Sequence, residues 1–182
     1  MNYIILVFFY ILVLVLSPVR YITFLPTIPV YPNSHEEVAY VRGAIKRRTQ
    51  QDIDFHNLTD PSVSHAFAQV VPLSIKELNK IILQVSITFP INFYKYTINR
   101  PRPYQIDNNL DVLPSKTAHT PAYPAGHAYH AYYLAKKLGE KYPDKQMILD
   151  DIAEKCNEVR IKAGLHYPSD GEYSKILVDY WY

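Results

Sequence analysis

The spacing of apolar residues along the chain predicts helices rather than strands. Val38, Val41 and Ile45 recur at intervals of three and four residues, and Leu78 and Ile82 repeat the same interval further along. This is the spacing of one face of an α-helix. No convincing alternation of apolar and polar residues predicts a strand. The predicted fold class is therefore all-α.

Capping residues, prolines and glycines predict where five helices begin and end. Ser34 is expected to cap the first helix, which ends at the basic residues 46–48. Ser74 is expected to cap a second, whose apolar positions continue to Phe89 until Pro90 kinks or ends it. The third is predicted from Pro124 to Lys137, with Gly139 as the C′ residue. The fourth is predicted from Pro143 to Ala163 with Gly164 as its stop, and its apolar stripe is formed by Met147, Ile152, Val159 and Ala163. A short last helix is predicted to begin at Pro168.

The chain opens with an uncharged apolar segment. Residues 3–16 are all apolar or aromatic, and no charged side chain occurs between Asn2 and Val19. Such a length suits a signal peptide or a short membrane span, whereas a buried core helix would normally carry a polar face. A poor cleavage site favours an uncleaved anchor. We therefore expect a signal-anchor or signal peptide in residues 1–20, membrane contact through residues 3–19, and a single-pass anchored protein that would be secreted if cleaved.

The rest of the chain has the composition of one globular domain. Residues 21–33 are expected to form a linker and residues 34–182 one domain. With 48% hydrophobic residues, 20% charged residues and a net charge of +2, the chain is neither disordered nor a predicted nucleic-acid binder. Five glycines form no dinucleotide-binding or phosphate-cradling loop, and the single Cys156 excludes intrachain disulfides and cysteine zinc sites. His119, His127 and His130 lack an accompanying carboxylate or cysteine pattern, so no metal site is predicted.

Three short clusters at helix ends combine cations, histidines and a carboxylate. In the first, Lys95 and Arg102 are separated by six residues and could hold a phosphate. In the second, Gly126 follows Pro124 and lets an anion approach the backbone N–H groups at a helix start, beside a histidine. In the third, an arginine precedes a histidine and an aspartate that are four residues apart and could form an orienting pair. The second cluster contains His127, and the third contains Arg160, His166 and Asp170.

Together these clusters resemble the signature of the type 2 phosphatidic acid phosphatase (PAP2) superfamily, which includes class A acid phosphatases and vanadium haloperoxidases. The family pattern is Lys-x6-Arg-Pro, then Pro-Ser-Gly-His, then Ser-Arg-x5-His-x3-Asp. The chain has every charged and imidazole position of this pattern, in order, between Lys95 and Asp170. It departs from the pattern at Ala125 and Val159, each of which replaces a serine. Ala125 removes a hydroxyl that would contact a bound phosphate, whereas Val159 is expected to pack on its helix face.

The resemblance implies a helical bundle of the acid phosphatase type and a metal-independent phosphatase that acts on phosphate monoesters, with lipid phosphates among the candidates. It implies that His166 is the nucleophile that forms a phosphohistidine, that Asp170 orients it, and that His127 is the general acid. Lys95, Arg102, Arg160 and the backbone at Gly126 would bind the phosphate. No cofactor is expected, and vanadate should bind as an inhibitor.

Two alternatives to the phosphatase remain at this point. In a vanadium-dependent haloperoxidase the same residues would hold vanadate as a cofactor, although those enzymes are usually much larger. A non-catalytic, membrane-tethered phosphate-binding protein would fit the loss of the serine at Ala125. Because only 12 residues follow Asp170, a second copy of the chain is a candidate for completing the wall of the site, and a homo-oligomer is an open expectation.

Overall fold

The computed structural model describes residues 31–182, and in that range all the regular secondary structure is helical, with no strand. The all-α prediction is thereby confirmed for these residues. The predicted anchor in residues 1–20 and most of the predicted linker 21–33 lie outside the described residues. Within residues 31–182, no helix combines the length and the apolar character needed to cross a bilayer.

Nine α-helices follow one another in the described part of the chain. They are α1 (Ser34–Lys46), α2 (Gln50–Thr59), α3 (Ser64–Phe67), α4 (Ile75–Ile82), α5 (Val85–Ile98), α6 (Pro103–Ile106), α7 (Gly126–Lys141), α8 (Gln146–Lys162) and α9 (Pro168–Trp181). One turn of 3₁₀ helix, Pro143–Lys145, precedes α8.

The core lies around α7, which packs against α8 on one side and α9 on another. Its buried face alternates small and large residues, including Ala128, Ala131 and Leu134, each 0% exposed. Small residues let two helices approach closely, so the larger side chains of α8 fill the space between them. Cys156 of α8 is one of these buried side chains, as a small apolar residue would be. The central pair α7 and α8 carries Gly126 and His127 of the second predicted cluster and Arg160 of the third.

The predicted first helix is present, but its cap is different. Asn33, not Ser34, is the N-cap residue, because its side-chain oxygen accepts a hydrogen bond from the N–H of His35. Ser34 is the first helical residue and is buried, and its hydroxyl accepts a hydrogen bond from Arg100 Nε at 3.2 Å. The second predicted cap is confirmed, since Ser74 and Glu77 form a reciprocal capping box at the start of α4.

The predicted single helix from Ser74 to Phe89 is wrong. The helix is interrupted at Leu83 and Gln84, and a separate helix, α5, then runs from Val85 through Pro90 to Ile98. Leu78 and Ile82 are buried, as the predicted stripe requires. The later stripe positions are exposed, because the break changes which face of the second helix points inward: Val85 is 77% exposed and Phe89 is 58% exposed.

The later helices also differ from their predicted bounds. α7 begins at Gly126 rather than at Pro124 and runs past Gly139 to Lys141. Gly139 lies within the helix and is not its cap, and the end of the Gln146 side chain occupies the space that a Cβ there would take. α8 ends as predicted, with Gly164 in the left-handed region at φ 78°. In the predicted apolar stripe of α8, Ile152, Val159 and Ala163 are buried. The prediction is wrong for Met147, which is 86% exposed. The last helix has 14 residues and is not short.

Candidate active site

The three sequence clusters meet at one cavity of about 310 Å³. The third cluster enters it from the end of α8 and the loop that follows, and the second enters from the first turn of α7. The predicted residues that line the cavity are Lys95, Arg102, Gly126, His127, Arg160 and His166. Asp170, in the first turn of α9, lies behind His166 and is completely buried. The fold thus brings together all seven residues that the sequence singled out.

His166 is held in a single orientation between an anion and a cation. Its Nδ1 lies 3.0 Å from Asp170 Oδ2, and its Nε2 lies 3.2 Å from Arg102 Nη1. A guanidinium can only donate, so Nε2 carries the lone pair and Nδ1 carries the proton. Burial and the charges of Arg102 and Lys95 hold the pKa of His166 well below its usual value. The imidazole is therefore neutral, with its unprotonated nitrogen, Nε2, turned toward the cations.

Two of the predicted phosphate-binding cations are fixed by backbone carbonyls of residues 120–122. Arg102 Nε donates to Thr120 O at 2.8 Å, and Lys95 Nζ donates to Pro121 O at 2.5 Å. Both side chains are buried, at 2% and 4% exposure. Burial, followed by the charge of Arg102, holds the pKa of Lys95 well below its usual value. An arriving anion would relieve this repulsion and favour the charged ammonium.

Asp60 is a part of the site that the sequence reasoning missed. Its Oδ1 lies 2.6 Å from Arg160 Nη1, and its Oδ2 accepts from the N–H of Lys116. Although burial alone would raise the pKa of Asp60, hydrogen bonds from Arg160, Ser115 and Lys116 lower it below its usual value. Arg160 Nε is buried and makes no hydrogen bond to any described residue. The carboxylate thus orients a guanidinium that keeps one donor uncommitted.

The backbone of Asp60 also fixes the second predicted catalytic histidine. His127 Nε2 lies 3.0 Å from the carbonyl oxygen of Asp60. Because a carbonyl only accepts, Nε2 carries the proton, and Nδ1 is the atom that can gain or lose another. Burial and the charge of Arg160 hold the pKa of His127 well below its usual value. A bound phosphate would counter that charge and raise this pKa.

The first turn of α7 supplies backbone donors with no side-chain cap. Ala125 is the N-cap residue and makes no side-chain hydrogen bond to the turn. Its own N–H donates to Asp170 O at 3.0 Å, so the free donors of the helix begin at Gly126. A Cβ on Gly126 would lie at an ordinary 3.8 Å from Lys95 Cε. The predicted need for glycine there thus depends on an anion being bound. Val159 is 3% exposed, in agreement with the expectation that it packs on its helix face.

Arg100 is a second residue that the sequence reasoning missed. Its side chain is completely buried, and Nη1 lies 2.7 Å from Asp170 Oδ1 while Nη2 lies 2.6 Å from Glu37 Oε2. The guanidinium also sits 3.8 Å from the ring centre of Tyr167. Burial raises the pKa of Asp170, whereas Arg100 and the N–H of Tyr167 favour its ionised form. Arg100 therefore holds the oxygen of Asp170 that His166 does not use.

The other two histidines of the candidate metal trio, His119 and His130, differ in their position relative to the cavity. His130, one turn further along α7, lines the cavity, and its buried Nε2 has no partner among the described residues. Burial and the charge of Lys95 lower the pKa of His130 to about 4. His119 is exposed and lies outside the cavity lining. Within residues 31–182 no group of three or more histidine, cysteine or carboxylate side chains is placed to hold a metal ion.

Two comparisons of the sequence with known proteins found no match. No protein-family model matches the sequence, and no curated protein matches it significantly. The resemblance to the PAP2 signature therefore stands on the motif residues, and the chemistry of the site has to be argued from its own atoms.

Proposed function

We propose that the protein is a phosphohydrolase that transfers a phosphoryl group to a histidine. More particularly, we propose a phosphate-monoester phosphatase of the PAP2 type that needs no metal ion. One observation carries the proposal: a neutral histidine, held by a buried aspartate, presents Nε2 to a cavity lined by Lys95, Arg102 and Arg160. A general-acid candidate, His127, lines the same cavity.

The cavity offers the charges that a phosphate dianion requires. A phosphate ester repels a nucleophile until the negative charge on its oxygens is neutralised. Two guanidiniums, one ammonium and the uncapped N–H groups of α7 can supply that neutralisation. Arg160 Nε is an uncommitted buried donor suited to a phosphate oxygen.

In the first step, the lone pair of His166 Nε2 forms a bond to phosphorus while the bond from phosphorus to the ester oxygen breaks. Bound phosphate raises the pKa of His127, so that Nδ1 takes up a proton from solvent before the step. The electron pair goes to the ester oxygen, which takes this proton from His127 Nδ1 and leaves as the alcohol. Asp170 stabilises the positive imidazole ring that results, because it remains hydrogen-bonded to Nδ1.

In the second step, His127 acts in the opposite direction. Its neutral Nδ1 takes a proton from water, and the water oxygen attacks phosphorus. The phosphorus–nitrogen bond breaks, its electron pair returns to His166 Nε2, and inorganic phosphate leaves. The substrate class is a phosphate monoester, and a lipid phosphate with a free monoester head would satisfy the same chemistry.

The test is hydrolysis of p-nitrophenyl phosphate by the full chain with a chelator present. We expect turnover that is inhibited by vanadate and that falls at least about 1,000-fold in His166→Ala, because the nucleophile is lost. His119→Ala, at an exposed histidine, is the matched control and should leave turnover unchanged. A folded protein that binds phosphate and turns nothing over would contradict the proposal, as would full activity in His166→Ala.

A further inference from the structure

One side of α5 exposes an unusual row of apolar side chains. Val85, Phe89 and Phe93 are spaced four residues apart, which places them on one side of the helix, and they are 77%, 58% and 40% exposed. Leu83, in the break before the helix, is 61% exposed. From residue 81 to residue 94 the chain carries no charged side chain. A contiguous exposed apolar surface of this kind normally marks an interaction site.

The end of the last helix adds aromatic side chains to the same region. The hydroxyl of Tyr182 donates to Ser86 O at 2.8 Å, which places the final residues beside the start of α5. Tyr180 is 78% exposed and Trp181 is 50% exposed. We call the surface formed by Leu83, Val85, Phe89, Phe93, Tyr180 and Trp181 the aromatic face.

A continuous row of ring contacts leads from the start of the described chain to the aromatic face. Tyr31 contacts Tyr123 at 5.4 Å between ring centres, and Tyr123 stacks on Tyr173 at 4.7 Å. Further contacts run from Tyr173 through Tyr94 to Phe93, at 5.8 and 5.5 Å, and from Phe93 to Phe89 at 6.3 Å. The row therefore connects Tyr31, which directly follows residues 1–30, with Phe89 of the aromatic face.

The sequence of residues 1–30 indicates the chemistry of the surface that the aromatic face contacts. Arg20 is the only charged side chain in residues 1–30, and residues 3–16 are entirely apolar or aromatic. We infer that the aromatic face docks onto a lipid bilayer, with Phe89 and Val85 entering the acyl boundary and Trp181 lying at the headgroup level. Tryptophan and tyrosine favour that level because each has an apolar ring and a polar group.

Docking in this orientation would also set the position of the cavity. Leu83 belongs both to the aromatic face and to the cavity lining, and Thr88 and Asn92 of α5 line the cavity as well. The cavity would therefore open beside the bilayer surface. The docking itself does not depend on the proposed hydrolysis and is tested without any substrate.

Trp181 is the only tryptophan of the chain, so its fluorescence reports on the aromatic face alone. The full chain would be reconstituted into phosphatidylcholine vesicles that contain either ordinary or chain-brominated lipid. We expect brominated lipid to quench at least half of the Trp181 emission. We also expect aqueous acrylamide to quench Trp181 at least threefold less than it quenches free tryptophan.

The variant Val85→Asp/Phe89→Asp places two charges on the aromatic face at exposed positions. We expect it to remain in the vesicle fraction and keep its helical circular dichroism, but to lose quenching by brominated lipid and regain quenching by acrylamide. The control is Met147→Asp/Ile148→Asp, because these exposed apolar residues are in the first turn of α8. It should behave as the wild type does.

Three results would overturn the inference. Strong acrylamide quenching of the wild type, without quenching by brominated lipid, would show that the face remains in water. Protection from both quenchers would show that the apolar N-terminal segment or another protein surface covers it. Protection that disappears when the protein is diluted at constant lipid would assign the face to a second copy of the chain.

Discussion

At the residue scale, the orientation of His166 depends on two side chains that do not touch the cavity. Asp170 uses one oxygen for His166 and the other for Arg100, which in turn is held by Glu37. The motif residues could be predicted because their types and spacing carry chemistry. Arg100 and Asp60 could not, since each pairs with a residue 70 or more positions away, Arg100 with Asp170 and Asp60 with Arg160.

Arg100→Lys should lower kcat at least about tenfold with a smaller effect on KM. Lysine keeps the charge, but a single ammonium cannot reproduce the forked contact with Asp170 and Glu37. The imidazole of His166 would then lose its fixed orientation while the phosphate-binding cations stay in place. Steady-state kinetics on p-nitrophenyl phosphate measures the separate effects on kcat and KM. Arg42→Lys, at an exposed ion pair, is the control, and an unchanged kcat in Arg100→Lys would contradict the positioning role.

Ala125→Ser should tighten the binding of inorganic phosphate by about tenfold or more. The resemblance to the PAP2 pattern implies that a hydroxyl at this N-cap position contacts a bound phosphate, and a hydrogen bond to a charged group contributes about 1.5–3 kcal/mol. Isothermal titration calorimetry of the wild type and Ala125→Ser gives the ratio of their dissociation constants for phosphate directly. Ala128→Ser, three residues further along α7, adds the same group away from the first N–H donors. Equal affinities in all three proteins would mean that the missing serine does not weaken the site.

At the scale of elements, α5 shows why helix ends were harder to predict than helices. Pro90 has no N–H to donate to Ser86 O, four residues earlier, and that loss normally ends or kinks a helix. Here the Tyr182 hydroxyl donates to Ser86 O instead, at 2.8 Å. The helix can therefore continue past Pro90 to Ile98. A contact between residues 86 and 182 leaves no trace in the local sequence.

Tyr182→Phe should lower the free energy of unfolding by roughly 1–2 kcal/mol, because its hydroxyl donates to Ser86 O and accepts from the Tyr129 hydroxyl at 3.5 Å. The ring, which packs against Tyr133, would be kept, so the change isolates the hydroxyl. Urea unfolding followed by circular dichroism measures the difference. Tyr180→Phe removes the hydroxyl of a side chain that is 78% exposed, and it should change the free energy of unfolding little. Equal effects of the two substitutions would remove the proposed support of α5.

At the scale of the whole molecule, the apolar pattern predicted the class of fold but not which faces are buried. Val85 and Phe89 fit the helical spacing of the stripe that includes Leu78, and the pattern therefore assigned them to the core. The break at residues 83 and 84 makes them part of the aromatic face. Periodicity identifies a helical face, whereas tertiary contacts decide whether that face points inward.

The buried histidines should make the protein less stable as the pH falls from 6.5 to about 4. Burial lowers the pKa of four of them, His56, His127, His130 and His166. The unfolded chain then binds more protons than the native chain in this window, so stability is lost toward acid, at up to about 1.4 kcal/mol per pH unit for each histidine.

Urea unfolding at several pH values tests this dependence, with His130→Gln as the informative variant because the pKa of His130 is lowered to about 4. Its slope of unfolding free energy against pH should be shallower than that of the wild type. His119→Gln, at an exposed histidine, should keep the wild-type slope. A stability that rises on acidification through this window would contradict the assignment of neutral buried imidazoles.

The central claim is that His166 carries the phosphoryl group, and rapid quenching of the full chain during turnover tests it most directly. Mass spectrometry of the quenched protein should find up to one phosphoryl group per chain, on His166, stable in alkali and labile in acid, and absent from His166→Ala. The His127→Asn variant should accumulate more of it, because the proton transfers of the second step are lost. Turnover with no phosphohistidine, or with the label on another residue, would contradict the account.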